Sequence, residues 1–239
     1  MVLFSTIVLK LNLKNSHPVV NLNDFNAEEI SDVLLQIERS FNIQFTNEDL
    51  QEVKTFGVLC DLVVHKLKLQ HADSCTTQQA FYKLRNAINS KNPTEKFLLK
   101  PQTKLCEIFP RDNRIEVVGD IENELGFHMN LLQPKQGVVW AFTILLLASI
   151  GLSFLNNTAG FIMGGIAVTC LVLAGKFGRE LKVKTLGDLA EKIAREHYLK
   201  CRRDASTVNR TEVVQKVKEL FAVYLDLEPA MLTKEARLV

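Results

Sequence analysis

The interval between Lys135 and Lys176 contains no charged side chain, and two apolar runs fill most of it. The runs are residues 137–155 and residues 159–175, and the polar residues 156–158 separate them. A bilayer core accepts one helix of about 20 apolar residues, and lipid offers no hydrogen-bond partner to backbone groups outside a helix. The sequence therefore predicts a transmembrane helical hairpin that turns at the polar residues.

Basic side chains flank both ends of this hairpin. Lys135 precedes the first run, and Lys176, Arg179, Lys182 and Lys184 follow the second. Cytoplasmic flanks of membrane helices carry an excess of Lys and Arg. We therefore expect an integral membrane protein, of the inner membrane if the cell is bacterial, with both termini in the cytoplasm. The alternative is a buried helical hairpin inside a large soluble core.

The remaining composition and motifs do not point to an enzyme or to a nucleic-acid-binding protein. The 239 residues carry a formal net charge of +2. This is not the large positive excess that is typical of nucleic-acid-binding proteins. The five cysteines are isolated from one another, so we expect reduced thiols facing the cytosol. No glycine-rich phosphate loop, GxSxG, HExxH or paired-cysteine motif occurs. We therefore expect neither an enzyme nor a nucleic-acid partner.

Three potential metal ligands, His65, His71 and Cys75, are loosely spaced along the chain. A structural zinc site needs a closed set of four ligands, and no fourth candidate is evident near them. His65 also falls within an amphipathic helical pattern. We therefore predict no metal site.

One heptapeptide occurs almost twice, as VKTFGVL at residues 53–59 and as VKTLGDL at residues 183–189. In each copy a threonine, Thr55 or Thr185, precedes apolar residues at helical spacing. Because a threonine oxygen can accept a backbone N–H of the first helical turn, each copy predicts the start of a capped amphipathic helix. Asp188 in the second copy adds the acidic partner of a capping box.

An acidic amphipathic helix precedes the first heptapeptide. Its apolar stripe includes Ile30, Val33 and Ile37, and its outer face carries Glu28, Glu29, Asp32 and Glu38. An extended bend, a short capped turn at residues 46–50 and the helix after Thr55 follow. In this order the stretch ISDVLLQIERSFNIQFTNEDLQEVKTFGVLCDLVVHKL, residues 30–67, resembles the second half of the acyl carrier protein family.

The C-terminal segment EVVQKVKELFAVYLDLEPAMLTKEARLV, residues 212–239, resembles the opening helix of the same family and the loop that follows it. Its predicted buried stripe consists of Val214, Val217, Leu220, Phe221, Tyr224 and Leu225. We expect this helix to dock on the N-terminal domain and to complete one discontinuous bundle. The alternative is that it pairs with the helix that begins at Thr185.

The resemblance implies a phosphopantetheine-bearing serine just before the acidic helix. This chain has Asn26, Ala27 and Glu28 there, with Ala27 at the place of the serine. An alanine cannot carry the prosthetic arm, so we expect no cofactor at this position.

Members of this family present their second helix to basic patches on partner enzymes. The resemblance therefore implies a partner-docking surface formed by Glu28, Glu29, Asp32 and Glu38. Together with the hairpin, it implies a membrane-anchored, non-acylated adaptor or docking protein. The expected partners are the bilayer and enzymes with basic docking patches, such as those of fatty-acid, lipid or polyketide biosynthesis.

Two other functions stay open. Asp73 and Ser74 precede a helix with an apolar face, so a working carrier with phosphopantetheine on Ser74 is one alternative. Capping of that helix by Ser74, Thr76 or Thr77 is the simpler role for these side chains. The other alternative is a structural or transport-accessory membrane protein whose resemblance to carriers is incidental.

We thus predict a mostly α-helical protein in which acyl-carrier-like helical cytoplasmic domains flank a two-helix transmembrane hairpin. The expected segments are an N-terminal arm (1–23), an acyl-carrier-like helical domain (24–69), a helical juxtamembrane region (70–134), the hairpin (137–175) and a C-terminal helical region (178–239).

Overall fold

The computed structural model describes Leu22, residues 25–91 and residues 98–238. These parts of the chain are mostly α-helical, as predicted. Apart from Leu22, the expected N-terminal arm (residues 1–23) lies outside the described residues. The chain forms two compact units. We call Met1–Ala80 with Glu191–Val239 the terminal unit, and Phe81–Ala190 the central unit.

The helices and strands of the described residues follow one another in a simple order. They are α1 (Ala27–Phe41), α2 (Asn47–Gln51), α3 (Phe56–Leu67), β1 (Gln70–His71), α4 (Thr76–Lys91), α5 (Leu105–Ile108), α6 (Arg114–Leu125), β2 (Leu132–Gln133), α7 (Gln136–Ser153), α8 (Asn157–Lys176), β3 (Glu180–Leu181), α9 (Leu186–Glu196), α10 (Tyr198–Cys201), β4 (Thr207–Val208) and α11 (Arg210–Tyr224). A 3₁₀ turn follows at Pro229–Met231.

The ends of α1 and the start of α2 follow from local sequence. The Asn26 N–H donates to Glu29 Oε2 at 3.1 Å in the first turn of α1. Asn42 ends the helix in the left-handed region, with φ 49°, which Asn tolerates better than most residues. At α2 the Thr46 N–H donates to Asp49 Oδ2 at 2.7 Å. The structure thus contains the predicted acidic helix and the short capped turn after it.

Both copies of the heptapeptide begin helices, α3 and α9. Thr55 Oγ1 accepts the Val58 N–H at 3.4 Å. Thr185 Oγ1 accepts the Asp188 N–H at 3.1 Å, and Asp188 Oδ2 accepts the Thr185 N–H at 3.0 Å. These bonds confirm both predicted caps and the reciprocal capping box of the second copy.

The core of the terminal unit joins the two ends of the chain. Helix α11 packs against α1 and α3, and its Phe221 ring meets the Phe56 ring edge to face. The Phe56 N–H donates to Ala236 O at 2.8 Å, and the Gly57 N–H donates to Lys234 O at 2.9 Å. This packing confirms the discontinuous bundle that we expected from the uncovered apolar faces of the two segments.

The predicted buried stripe of α11 needs one correction. Tyr224 is 44% exposed and Val214 is only partly buried, whereas Val213 and Ala222 are buried. The reason is that α11 packs against two helices, α1 and α3. Its buried face is therefore wider than a single stripe, and it ends before the last residue of the helix.

Helices α7 and α8 form an apolar hairpin, and each is long and apolar enough to cross a membrane. Only 6% of the apolar stretch of α7 and 11% of that of α8 are buried. This low burial disfavours the alternative of a hairpin hidden in a soluble core. The two helices meet through small residues. A Cβ on Gly160 would lie 2.6 Å from Ser153 Cα, and one on Gly164 would lie 3.0 Å from Ser149 Oγ.

Short strands hold the base of this hairpin within the central unit. Strand β2 pairs antiparallel with β3, and the Lys182 N–H donates to Leu131 O at 3.0 Å. The buried Arg114 side chain donates from Nε to Phe109 O at 2.9 Å and from Nη1 to Arg179 O at 2.5 Å. The start of α7 and the end of α8 are therefore tied together next to α6.

Candidate functional site

The predicted docking carboxylates all lie on α1, on the side that faces away from its buried stripe. Glu28, Glu29 and Asp32 are exposed, whereas Val33, Ile37 and Phe41 on the opposite side are fully buried. Helical spacing places residues three, four and seven apart on one face. The structure thus brings these three carboxylates together on the solvent side of the helix.

Glu38 differs from the other three predicted residues because it supports the fold. It is partly buried, and its Oε1 accepts the Phe45 N–H at 2.6 Å. This charge-assisted hydrogen bond holds the extended bend after α1 in place. Only part of the Glu38 carboxylate therefore remains available to a partner.

An exposed apolar side chain, Leu35, lies within the acidic side of α1. It is not among the docking residues predicted from the sequence. It is 43% exposed and lies three residues after Asp32 and seven after Glu28, which is the spacing of one helical face. Arg39 is also exposed on this side. A helical projection of residues 28–39 contains the signal, since Leu35 falls outside the buried stripe. We call Glu28, Asp32 and Leu35 the α1 face.

The start of α1 carries the residues that stand where a prosthetic serine would be expected. Ala27 is the first residue of α1 and is exposed. The nearest hydroxyl in the helix belongs to Ser31, whose Oγ donates to Ala27 O at 2.8 Å. A methyl group therefore occupies the solvent-facing start of this helix.

Ser74, the alternative attachment residue, lies before α4 and is held by a buried arginine. Arg202 Nη2 donates to Ser74 Oγ at 2.7 Å, and Arg202 Nη1 donates to Ser74 O at 3.2 Å. The Arg202 side chain is 1% exposed. It also binds Ala72 O and Thr207 Oγ1, so residues 72–74 are fixed against β4.

A partly buried acid, Glu212, completes this cluster. Glu212 Oε1 accepts the Thr76 N–H at 2.8 Å, and its Oε2 accepts the Thr76 hydroxyl at 2.6 Å. The Tyr198 hydroxyl lies between Arg202 and Glu212, and burial raises the pKa of Tyr198. The cluster therefore caps α4 and pins it to α10 and α11. No local motif marks Arg202 or Glu212, because their partners lie far away in the chain.

A groove with a volume of about 1220 Å³ runs beside Ser74 in the terminal unit. Its lining includes Phe56, Cys60, Val214 and Lys234, from α3, α11 and the C-terminal segment. Burial, with a smaller effect of the neighbouring Asp61, raises the pKa of Cys60 to about 12. Since the thiolate is the reactive form of cysteine, Cys60 is a poor nucleophile at neutral pH. Its side chain lines the groove without supplying a reactive group.

The loosely spaced histidines and cysteine do not form a cluster. His71 Nε2 lies 3.0 Å from Asp73 Oδ1, while His65 lies on α3. Among residues 25–91 and 98–238, no group of three metal-ligating side chains comes together. The five cysteines all lie within these ranges, and none of them forms a disulfide bond.

Comparisons with protein-family profiles, with curated proteins and with solved structures found no match to this chain. The chemistry and placement of its own residues are therefore the basis for a functional proposal.

Proposed function

We propose that this protein is a membrane-anchored, non-catalytic adaptor whose terminal unit is an acyl-carrier-like bundle without a prosthetic group. Its apolar hairpin crosses the membrane, and both termini lie in the cytoplasm. The α1 face docks on a basic patch of a partner enzyme, of the class that builds fatty acids, other lipids or polyketides.

One observation carries this proposal. Helix α11 covers the apolar side of α1 and α3, so that α1 keeps only its acidic side for other contacts. Glu28 and Asp32 are exposed there around Leu35. An apolar side chain with carboxylates on its N-terminal side suits a partner that has an apolar pocket beside a basic patch, since complementary charges steer association and specify the partner.

Two observations support an adaptor over a working carrier. Ala27 stands at the start of α1 and offers no hydroxyl. Ser74 is partly buried, and its oxygen accepts a hydrogen bond from Arg202. A swinging prosthetic arm needs an exposed hydroxyl, which neither position supplies.

The membrane assignment is supported by the outward-facing apolar side chains of the hairpin. Trp140, Ile144 and Leu147 on α7 are each at least 60% exposed, and so are Phe161 and Ile162 on α8. Such a surface would be costly in water, where exposed apolar patches of this extent mark membrane or protein contacts. Lys135, Lys176 and Arg179 at the base favour a cytoplasmic location for that end.

Co-purification from detergent-solubilised membranes tests the docking role. The double variant Glu28→Lys/Asp32→Lys reverses the charge of the α1 face, while Glu235→Lys changes an exposed acid in the C-terminal segment. We expect the partner enzyme to be lost from the double variant, retained by Glu235→Lys and released from the natural protein by high salt. Equal recovery of the same proteins with both variants would refute the proposed docking face.

Intact mass tests the absence of the prosthetic group. We expect no added phosphopantetheine when the protein is produced with an active phosphopantetheinyl transferase. A modified peptide that contains Ser74 would establish a carrier instead.

Two experiments test the membrane assignment. Release of the protein by carbonate washing, or activity of a periplasmic reporter fused to either terminus, would contradict it.

A further inference from the structure

The two units repeat the same set of local contacts. We infer that the chain contains two copies of one helical module, and that the apolar hairpin is inserted into the second copy at the position that α2 occupies in the first. The first copy consists of α11, α1, α2 and α3. The second copy consists of α4, α6, the hairpin and α9. This inference goes beyond the proposed function and does not depend on it.

The first matching set of contacts surrounds the start of α3. Thr55 forms an antiparallel bridge with Arg237. The next two residues, Phe56 and Gly57, donate their N–H groups to Ala236 O and Lys234 O at 2.8 and 2.9 Å. In return, the Leu238 N–H donates to Lys54 O at 3.0 Å.

The same pattern surrounds the start of α9 in the central unit. Thr185 forms an antiparallel bridge with Lys104. Leu186 and Gly187 donate to Thr103 O and Pro101 O at 2.9 and 2.8 Å, and the Leu105 N–H donates to Lys184 O at 2.9 Å. Each of these four contacts joins residues that correspond one for one to those at the start of α3. The two antiparallel pairings therefore have the same register.

A glycine occupies the same place in both sets, for the same steric reason. A Cβ on Gly57 would lie 2.9 Å from Lys234 O, and one on Gly187 would lie 3.1 Å from Pro101 O. Both helices therefore approach their partner segment closely at the second residue. The heptapeptide is repeated because both copies of this contact need a capping threonine and a glycine two residues later.

A second matching set lies at the ends of α1 and α6. Glu38 Oε1 accepts the Phe45 N–H at 2.6 Å, and Glu122 Oε1 accepts the Met129 N–H at 2.7 Å, each seven residues along the chain. Four residues after each glutamate, Asn42 and Gly126 end their helices in the left-handed region. Helix α6 is thus the counterpart of α1.

The order of elements agrees once the first copy is read from α11. Helix α11 leads to the segment that contacts α3, and α4 leads to the segment that contacts α9. The Leu22 N–H donates to Arg237 O at 2.8 Å, so the C-terminal segment lies beside the residues that precede α1. The first copy is therefore split between the two ends of the chain, whereas the second is continuous except for the hairpin.

The two copies differ most between the acidic helix and the capped helix. In the first copy, residues 46–52 connect Phe45 to Val53 and contain α2. In the second, residues 130–182 connect Met129 to Val183 and contain β2, the hairpin and β3. If the hairpin crosses a bilayer as proposed above, this connection attaches the second module to the membrane.

A graft in the full chain tests the inference. Residues 130–182 are replaced by the sequence of residues 46–52, and a parallel variant carries a Gly-Ser linker of the same length. Hydrogen exchange is then measured at the N–H groups of Met129, Leu186 and Gly187. We expect both variants to protect these three groups as the natural protein does, and the graft to match it more closely. Loss of protection in both variants would overturn the inference.

Membrane fractionation of the graft separates this inference from the proposed anchor. A graft that is protected and soluble without detergent supports both. A graft that is protected but remains with membranes supports the inserted hairpin and refutes the hairpin as the anchor.

Point variants in the otherwise intact protein test the equivalence of the copies without a deletion. Gly57→Ala should raise exchange in α3 by about tenfold or more. Gly187→Ala should raise exchange in α9 by a smaller factor, because its added Cβ would lie 3.1 Å from Pro101 O rather than at the 2.9 Å found for Gly57 and Lys234 O. Gly119→Ala in α6 is the control, since a Cβ there meets nothing within 4 Å. Unchanged exchange in either test variant would contradict the shared contact.

Discussion

The Phe221 ring on α11 packs edge to face on the Phe56 ring of α3, with centroids 5.3 Å apart and planes at 82°. Both side chains are buried, and they join the C-terminal helix to the N-terminal part of the chain. Edge-to-face pairs contribute about 0.5–1.5 kcal/mol beyond the burial of their area. This contact therefore makes the stability of the N-terminal helices depend on a segment near the other end of the chain.

Phe221→Ala tests that dependence. Removal of a buried phenyl ring typically costs about 3–5 kcal/mol, so we expect early urea unfolding of the terminal unit and faster hydrogen exchange in α1 and α3. Val223→Ala, at a side chain of α11 that is 55% exposed, should change stability by less than about 0.5 kcal/mol. Similar effects of the two variants would contradict the packing of α11 on α3.

Gly160→Ala tests the contact between α7 and α8. The added methyl group would lie 2.6 Å from Ser153 Cα, and overpacking of this kind costs about 1–3 kcal/mol. We expect a lower thermal unfolding temperature in detergent, measured by circular dichroism. Gly165→Ala, on the same helix but with nothing within 4 Å of the new Cβ, should leave the temperature almost unchanged. Equal unfolding temperatures for the two variants would contradict the close approach of α7 and α8 at Gly160.

The ion pair between Asp49 and Lys66 predicts a pH dependence of stability. Lys66 Nζ lies 2.5 Å from Asp49 Oδ2. This contact, with the Thr46 N–H as the next cause, lowers the pKa of Asp49 from 3.8 to about 2. A lowered acid pKa stabilises the folded state fully above the unfolded value, and the contribution is lost as the pH falls through the folded value.

We therefore expect the free energy of unfolding of the natural protein to fall more steeply from pH 4 to pH 2 than that of Asp49→Asn, measured by urea denaturation at each pH. Glu235→Gln, at an exposed acid, serves as the control and should retain the steep fall. Parallel curves for the natural protein and Asp49→Asn would show that this carboxylate does not contribute.

Thiol reactivity should differ sharply between Cys60 and Cys75. Burial raises the pKa of Cys60 to about 12, whereas Cys75 is exposed. Because the thiolate reacts, iodoacetamide at pH 8 should label Cys75 within minutes and Cys60 only after denaturation, as measured by peptide mass spectrometry. Cys106 is exposed and provides a fast-reacting reference. Equal labelling of Cys60 and Cys75 in the folded protein would place Cys60 at the surface.

The acidic helix and its outer carboxylates follow from local sequence, but their separate roles do not. Period and charge predict that Glu28, Glu29, Asp32 and Glu38 share the outer side of α1. Only the structure distinguishes Glu38, which binds the Phe45 N–H. The direction of the bend after α1 decides which backbone group reaches this carboxylate, and periodicity along one helix does not contain that direction.

By itself, the sequence determined the helix starts at Thr55 and Thr185, the acidic helix and the apolar hairpin. Caps and periodic stripes depend on residues within a few positions of one another, and the hairpin depends on an uninterrupted apolar composition. These features are readable without any knowledge of the fold.

The tertiary structure alone decided how far the buried face of α11 extends, with Val213 inside it and Tyr224 outside. It also decided that Arg202 binds the Ser74 hydroxyl, and that the two heptapeptides take part in the same pattern of contacts. Each of these depends on pairs of residues far apart in the chain. Short helical patterns are compatible with many such pairings, and the burial of side chains between several helices at once selects one of them.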